Sequence, residues 1–334
     1  EIAYDESDPL ETVLEESEKM IYEITTQGGS SDRLIGFSEL IEETWSRIEK
    51  MSEKEGGMRG TPSGFKDLDH KLSGFQPSDL IILAARPSVG KTSLALDFAR
   101  NAAVKHGIPV AIFSLEMSKE QLVDRMLSAQ SQVDSWKLRT AKLSLDEEFE
   151  RLQQGMHELM KAPIFVDDKA ANTILNMRST LRRLTTDKPI GLIIVDYLQL
   201  MGTAKSYDNM VNQVTEISRS LKALAKEFNA PVIALSQLSR AVESRGGRPR
   251  LSDLRDSGSI EQDADVVMFI HREDKYGTDG GDRKNIVEIL IEKHRNGPTG
   301  MVELYFDDKK TTFVSVEKSE FGDFTMPTIR TPDF

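Results

Sequence analysis

Lysine and threonine set directly behind a glycine, as in Gly90-Lys91-Thr92, equip a chain to hold a row of phosphates. The residues before them, Arg86-Pro87-Ser88-Val89, and the one after, Ser93, complete a loop that leads into a helix. Loop amides and a helix N-terminus aim donors at the anion, and the helix dipole favours negative charge there. In this arrangement Lys91 reaches the β- and γ-phosphates, and the Thr92 hydroxyl ligates Mg²⁺. The first glycine of the usual pattern G-x-x-x-x-G-K-[ST] is Ala85 here. A methyl group fits if that residue has ordinary backbone angles, because glycine is required only where φ is positive. Gly-Lys-Thr turns also arise by chance. The apolar run Leu80–Ala84 before this one and the helical pattern Ser93–Ala99 after it mark a strand, a loop and a helix instead.

Three further apolar runs end in residues that complete such a site. Gly191-Leu192-Ile193-Ile194-Val195-Asp196 ends in a carboxylate. In a doubly wound sheet the C-terminal ends of the strands open onto the ligand crevice, so Asp196 is placed to hold Mg²⁺ directly or through water. The run Ala111–Ser114 leads to Glu116, a candidate to orient and deprotonate the attacking water. Its plainer role is to meet the dipole of the helix opened by Ser118-Lys119-Glu120-Gln121. Pro231-Val232-Ile233-Ala234-Leu235-Ser236-Gln237 ends in an amide able to touch the γ-phosphate and report its presence.

Two cationic stretches follow. Leu238–Asp256 contains Arg240, Arg245, Arg248, Arg250 and Arg255. Such a run is ordinarily a solvated loop; beside a phosphate sensor it is also suited to grip a polyanion when the triphosphate is bound. Lys293 and Arg295 close another apolar run, and they point the same way if the strand continues through them. The plain reading is a surface pair. The other is an arginine finger with a lysine companion, delivered to a neighbour's γ-phosphate.

Strands and helices must alternate to position these groups. Strands are predicted at Leu80–Ala84, Val110–Ser114, Ile164–Asp167, Gly191–Val195, Pro231–Leu235, Val266–His271, Val287–Lys293 and Met301–Phe306. Several are continuous β-branched runs, as expected of parallel strands buried on both faces, and the last few are expected to form an antiparallel extension. Before them, Phe37, Leu40, Ile41, Trp45, Ile48 and Met51 share one helical face, followed by the linker-like run Glu53–Gly57. That face packs either on the chain's own core or on a neighbouring subunit. Phe321–Phe334 reads as a mobile tail.

The chain has 334 residues, 38% hydrophobic and 29% charged, with a net charge of -12 and no cysteine. That excludes disulfides and thiolate metal sites and argues against indiscriminate nucleic-acid binding, though not against a local basic channel. No apolar run is long enough to span a bilayer. The first residue is Glu1, which is expected of a fragment or a processed form.

Taken together, the motifs resemble those of the bacterial replicative DNA helicases of the DnaB type. The carriers are Ala84–Thr92, Phe113–Ser118, Ile194–Met201, Ala234–Arg240, Asp253–Asp265 and Lys293–Pro298, and the match runs from about Thr61 to Val316. The resemblance implies an α/β fold: a RecA-like P-loop NTPase with a mostly parallel twisted sheet flanked by helices, preceded by a helical linker. It implies a hexameric ring that encircles single-stranded DNA and unwinds forked duplex by ATP-driven 5′-to-3′ translocation. By position, Arg86–Ser93 hold the ATP phosphates, Thr92 and Asp196 the Mg²⁺, Glu116 is the catalytic base and Gln237 the γ-phosphate sensor. Lys293 and Arg295 enter the adjacent subunit's site. Arg255, Asp256 and Gly258 follow the DNA backbone, with Asp256 in place of an expected glutamate.

The implied division is 1–30 as the last helix of an N-terminal domain, 31–58 as linker helix and linker, 59–318 as motor and 319–334 as tail. With most of that N-terminal domain missing, weak or filamentous assembly is expected. Primase, a helicase loader and polymerase clamp-loader subunits are the implied partners, in a cytoplasmic, nucleoid-associated replisome without a membrane. Two other classes compete: a RecA-like recombinase filament, which would lack the Glu-Lys-His-Arg-Asn-Gly signature, and a non-hydrolysing ATP-binding scaffold, which Glu116 argues against.

Overall fold

The structure is a computed structural model, and it describes residues 36–52, 58–143, 147–170, 172–186, 188–201, 210–239, 242, 245, 247–254, 258–273 and 284–316. The expectations for residues 1–30, the 53–57 linker and the 319–334 tail lie outside these. The chain divides into two compact units, Glu1–Gly57 and Met58–Phe334. In the first, α1 spans Phe37–Ser52, and its Phe37, Ile41, Trp45 and Ile48 are all more than half exposed.

The second unit is built on one nine-stranded sheet in the order β3-β2-β4-β5-β1-β6-β7-β8-β9. It opens with α2 (Lys66–Leu72), β1 (Leu80–Ala85), α3 (Lys91–Arg100), β2 (Val110–Ser114), α4 (Lys119–Ser131), α5 (Ser135–Thr140) and α6 (Glu147–Lys161). Then come β3 (Ile164–Asp167), α7 (Ile174–Leu184), β4 (Leu192–Asp196), α8 (Met210–Glu227), β5 (Val232–Gln237), α9 (Gly258–Asp263) and β6 (Val266–His271). The strands β7 (Ile286–His294), β8 (Gly300–Asp307) and β9 (Thr312–Ser315) close the described chain. Pairing is parallel from β3 across to β6 and antiparallel from β6 to β9. The mostly parallel sheet with an antiparallel extension is thus borne out.

The sheet is covered on both faces, and the side-chain period of two divides its residues between two cores. On β1, Ile81, Leu83 and Ala85 join the core that holds Leu94 and Phe98 of α3. Leu80, Ile82 and Ala84 join the opposite one with Leu221 and Leu224 of α8. Every β1 residue is buried, which explains the unbroken apolar run. β5 begins at Val232 and not Pro231, because proline has no amide for the ladder; the Val232 amide donates to the Asp79 carbonyl at 2.9 Å.

One strand was not foreseen. β9 has four residues behind a charged turn, too short to show a period. Buried Asp97 of α3 secures it, accepting the Phe313 amide at 2.7 Å and the Thr312 hydroxyl at 2.8 Å. Phe313 in turn lies under the phosphate loop, where a Cβ added to Gly90 would come within 3.0 Å of its ring.

Candidate active site

Parallel register brings the predicted site residues to one end of the sheet. Ala85 pairs with Gln237, and Ser114 with Asp196, so β1, β5, β2 and β4 finish level with one another. Beyond Ala85 the chain turns through Arg86–Val89, with Ser88 at a φ of 63°, and enters α3 at Gly90, whose φ of 106° favours glycine. Ala85 is a strand residue without positive φ, which is why its methyl group is tolerated.

Asp196 is the centre of the arrangement. It is 2% exposed; its Oδ2 accepts the Thr92 hydroxyl at 2.7 Å, and Lys91 Nζ stands 3.9 Å from its Oδ1. That Oδ1 is buried and has no hydrogen-bond partner. A buried, unsatisfied carboxylate oxygen beside a hydroxyl is a fit for a hard divalent cation. Among the described residues no group of three or more His, Cys, Asp or Glu could hold a metal by itself.

Lys91 also lies 4.5 Å from the centroid of the Tyr197 ring. Burial holds its pKa below the ordinary lysine value, while Asp196 and Glu116 pull it back up. Burial, with the same two carboxylates, raises the Tyr197 phenol. Lys91 is therefore a cation set between two carboxylates, Asp196 buried and Glu116 exposed.

Glu116 sits on a turn after β2. The Ser114 hydroxyl holds that turn, donating to the Met117 carbonyl at 2.7 Å and accepting the Met117 amide at 3.2 Å. The Leu115 amide donates to the Asp196 carbonyl at 2.6 Å, locking the turn to the end of β4. Glu116 is exposed toward a cavity of about 330 Å³ that it lines with Lys91, Thr92, Tyr197 and Gln237. Arg86, Pro87, Ser88 and Gly90 line it too, whereas Val89 and Ser93 are buried and do not.

Arg125 and Gln121 also line it, and sequence reasoning missed both. Ser118 and Gln121 form a capping box at the start of α4, the Ser118 amide donating to Gln121 Oε1 at 3.2 Å. One turn further on the same face stands Arg125. Burial lowers its pKa, opposed by Asp196 and Glu116, so its guanidinium shares their field. The spacing Gln121 to Arg125, directly behind a strand-end carboxylate, was the available signal.

Lys293 and Arg295 are not brought to this cavity. β7 runs antiparallel to β6, and Lys293 and His294 pair with Val267 and Val266 at the start of that strand. The length of β1, about 17 Å at 3.3 Å per residue, separates them from the phosphate loop. The condition that the strand continue through both is not met, because β7 ends at His294 after a register shift. Both still reach one segment: Lys293 Nζ donates to the Glu261 carbonyl at 2.5 Å, and Arg295 Nη1 to Asp265 Oδ1 at 3.1 Å.

In the arginine-rich stretch, Arg245 grips Asp253 at 2.9 and 2.6 Å, and Arg248 grips Glu288 at 2.7 and 2.6 Å. Both arginines are held by carboxylates, while their side chains stay 39% and 56% exposed. Arg255 and Asp256 lie outside the described residues; Gly258 is the first residue of α9.

Comparison with known proteins agrees with this geometry. The family model for the DnaB-like helicase C terminal domain matches residues 60–315. The replicative DNA helicase DnaB of Geobacillus stearothermophilus is 47% identical over 317 residues, covering 94% of this chain and 69% of that protein. The replicative DNA helicase DnaC of Bacillus subtilis (strain 168) is 45% identical over 326 residues, covering 97% and 71%. Among solved structures, an isolated ATPase domain aligns with a TM-score of 0.80 at 37% identity over 85% of this chain and 100% of that one. A DnaB-like replicative helicase, studied with its interactions with primase, aligns with a TM-score of 0.77 at 36% identity, over 91% and 72%. The sheet is that of the RecA-like ATPase domains, and the chain belongs to the DnaB-like replicative helicase family.

Proposed function

We propose that this chain is the motor of a replicative DNA helicase that hydrolyses ATP at seams between neighbouring copies and moves 5′ to 3′ on single-stranded DNA. The observation that carries the proposal is the convergence of Lys91, Thr92, Glu116 and Gln237 on one cavity, with buried Asp196 against Thr92 and Lys91 and one of its oxygens without a hydrogen bond.

Lys91, the loop amides and the amino end of α3 bind the β- and γ-phosphates, and Arg125 adds charge from the facing helix. Thr92 and Asp196 are the residues to hold Mg²⁺, which when bound neutralises charge developing on the phosphates. Glu116 orients a water and accepts its proton as the Pγ–O bond breaks, leaving ADP and phosphate. Gln237, at the end of β5, senses whether the γ-phosphate is present.

Arg295 and Lys293 serve a neighbouring copy's site. Their position at the opposite end of the sheet supports this, since neither reaches the cavity of its own subunit. The exposed apolar side chains of α1 support residues 31–58 as the helix that docks on a neighbour, with 59–318 as the motor. A hexameric ring, DNA-backbone contacts through Arg255, Asp256 and Gly258, and work with primase, loader and clamp-loader subunits at a cytoplasmic replisome complete the reading. Among the described residues no helix is long and apolar enough to cross a membrane.

Mixed-subunit hydrolysis tests the seam. Arg295→Ala and Lys91→Ala copies should each be inactive alone, and mixing them should restore part of the turnover. Light scattering with and without nucleotide and DNA should show assembly; full-rate hydrolysis by a monomer would refute the proposal.

A further inference from the structure

The end of the sheet remote from the phosphate cavity holds a carboxylate that the chemistry above does not use. Asp265 is 2% exposed, and its two oxygens are divided between partners. Oδ2 accepts the Leu80 amide at 2.8 Å and the Lys222 ammonium. Oδ1 accepts Arg295 Nη1 at 3.1 Å, and the Asp265 carbonyl accepts the Arg295 amide at 2.8 Å. One residue thus grips Arg295 by both backbone and side chain. The Arg295 side chain nevertheless stays 54% exposed, and among the described residues Asp265 is the only carboxylate paired with it.

The geometry points to Asp265 as the positioning residue of the trans-acting arginine: it aims the Arg295 guanidinium out of its own subunit toward a neighbour's γ-phosphate. The inference rests on the reading of Arg295 as acting in trans. A long arginine side chain loses rotamer freedom when it reaches a phosphate, and holding it beforehand lowers that cost. The grip must also leave donors over. Guanidinium is a planar fork with five N–H groups, and a contact through Nη1 alone leaves an edge for bidentate contact with phosphate oxygens. The pairs Arg245–Asp253 and Arg248–Glu288 show the contrast, each spending both edge nitrogens on its carboxylate. Lys222 on Oδ2 keeps Asp265 from becoming an unpaired buried charge when phosphate draws Arg295 away. Lys293 rests on the same segment through the Glu261 and Gln262 carbonyls, so both trans cations start from one platform.

ATP hydrolysis by the full chain with single-stranded DNA, carried out on Asp265→Asn, tests the assignment. Asparagine keeps the shape and an acceptor for the Leu80 amide but removes the charge. Turnover should fall about 10- to 100-fold, as for a misaimed catalytic group, while KM for ATP changes less than about threefold. Asp265→Asn should add no further loss to Arg295→Ala. Mixing Asp265→Asn with Lys91→Ala copies should restore turnover, because an intact phosphate loop then meets an intact arginine. Wild-type turnover in Asp265→Asn, or added loss on Arg295→Ala, overturns the assignment. If the asparagine variant does not fold, Asp265→Glu, which moves the charge by one methylene, must show the same separation of kcat from KM; wild-type turnover there overturns it equally. Wild-type turnover in Arg295→Ala alone would instead refute the trans reading, so the two failures are told apart.

Discussion

The two ends of the central sheet each carry a buried carboxylate beside a lysine, and they treat it in opposite ways. At the C-terminal end, Asp196 keeps one oxygen without a hydrogen-bond partner and sits against Thr92 and Lys91, which line a cavity. At the N-terminal end, Asp265 has both oxygens occupied, by Leu80, Lys222 and Arg295. A buried polar atom without a partner costs stability, and a cation beside Asp196 and Thr92 would remove that cost. The satisfied end needs no ligand and serves to hold cations in place. The same pair of residue types is thus a binding site at one end and a scaffold at the other, and hydrogen-bond accounting tells them apart.

The largest expected effect is at the open end. Glu116→Gln should reduce ATP hydrolysis about 10³-fold with nucleotide binding retained, as for loss of a general base. Steady-state turnover beside equilibrium binding checks this, and unchanged turnover would end its catalytic assignment. Next comes Asp97, a buried carboxylate satisfied by the Phe313 amide, Thr312 and Arg100. Asp97→Ala should cost about 3 kcal/mol in denaturant unfolding, because it leaves those donors and a buried cation unmatched. It is the control for Asp196.

Asp196→Asn should cost about 100-fold in Mg²⁺-dependent turnover. In the nucleotide-free protein it should cost less than Asp97→Ala, about 1 kcal/mol, since Asp196 holds only the Thr92 hydroxyl by a hydrogen bond and Lys91 at longer range. A cost as large as that of Asp97→Ala would erase the contrast between the two ends.

The smallest effect is at the satisfied end. Burial first, and then the like charge of Asp265, pushes Asp79 up to about 6, against the lowering by Lys222, His294 and Arg295. The folded protein therefore binds this proton more tightly than the unfolded chain, and stability is lost as pH rises from about 4 through 6. Asp79→Asn should gain about 1 kcal/mol at pH 8 and nothing near pH 4, measured as unfolding midpoints at both. A gain that persists at pH 4 would show that ionisation of Asp79 is not its source.

Much of the open end was legible because its signals are local. Asp196, Glu116 and Gln237 each stand at or just past the end of an apolar run, and a parallel sheet forces such ends together. Arg125 was not legible, because its place depends on the angle at which α4 leaves β2. β9 escaped for a similar reason: four residues show no period, and their order comes from Asp97, 215 residues away from Thr312 in the chain. The satisfied end was least legible, since Asp79, Lys222, Asp265 and Arg295 are far apart in sequence and meet only through strand register and the packing of α8 on the sheet.

From the residue order alone came the phosphate loop, the strand-end carboxylates and the layered α/β architecture, because strand runs, helix periods and loop chemistry act over neighbouring residues. Which carboxylate oxygen goes unpaired, which arginines are spent on carboxylates, and that Arg295 stands a full strand length from its own phosphate loop were decided only by the tertiary structure. Those properties depend on distances and burial between segments remote in sequence, and no short-range pattern encodes them.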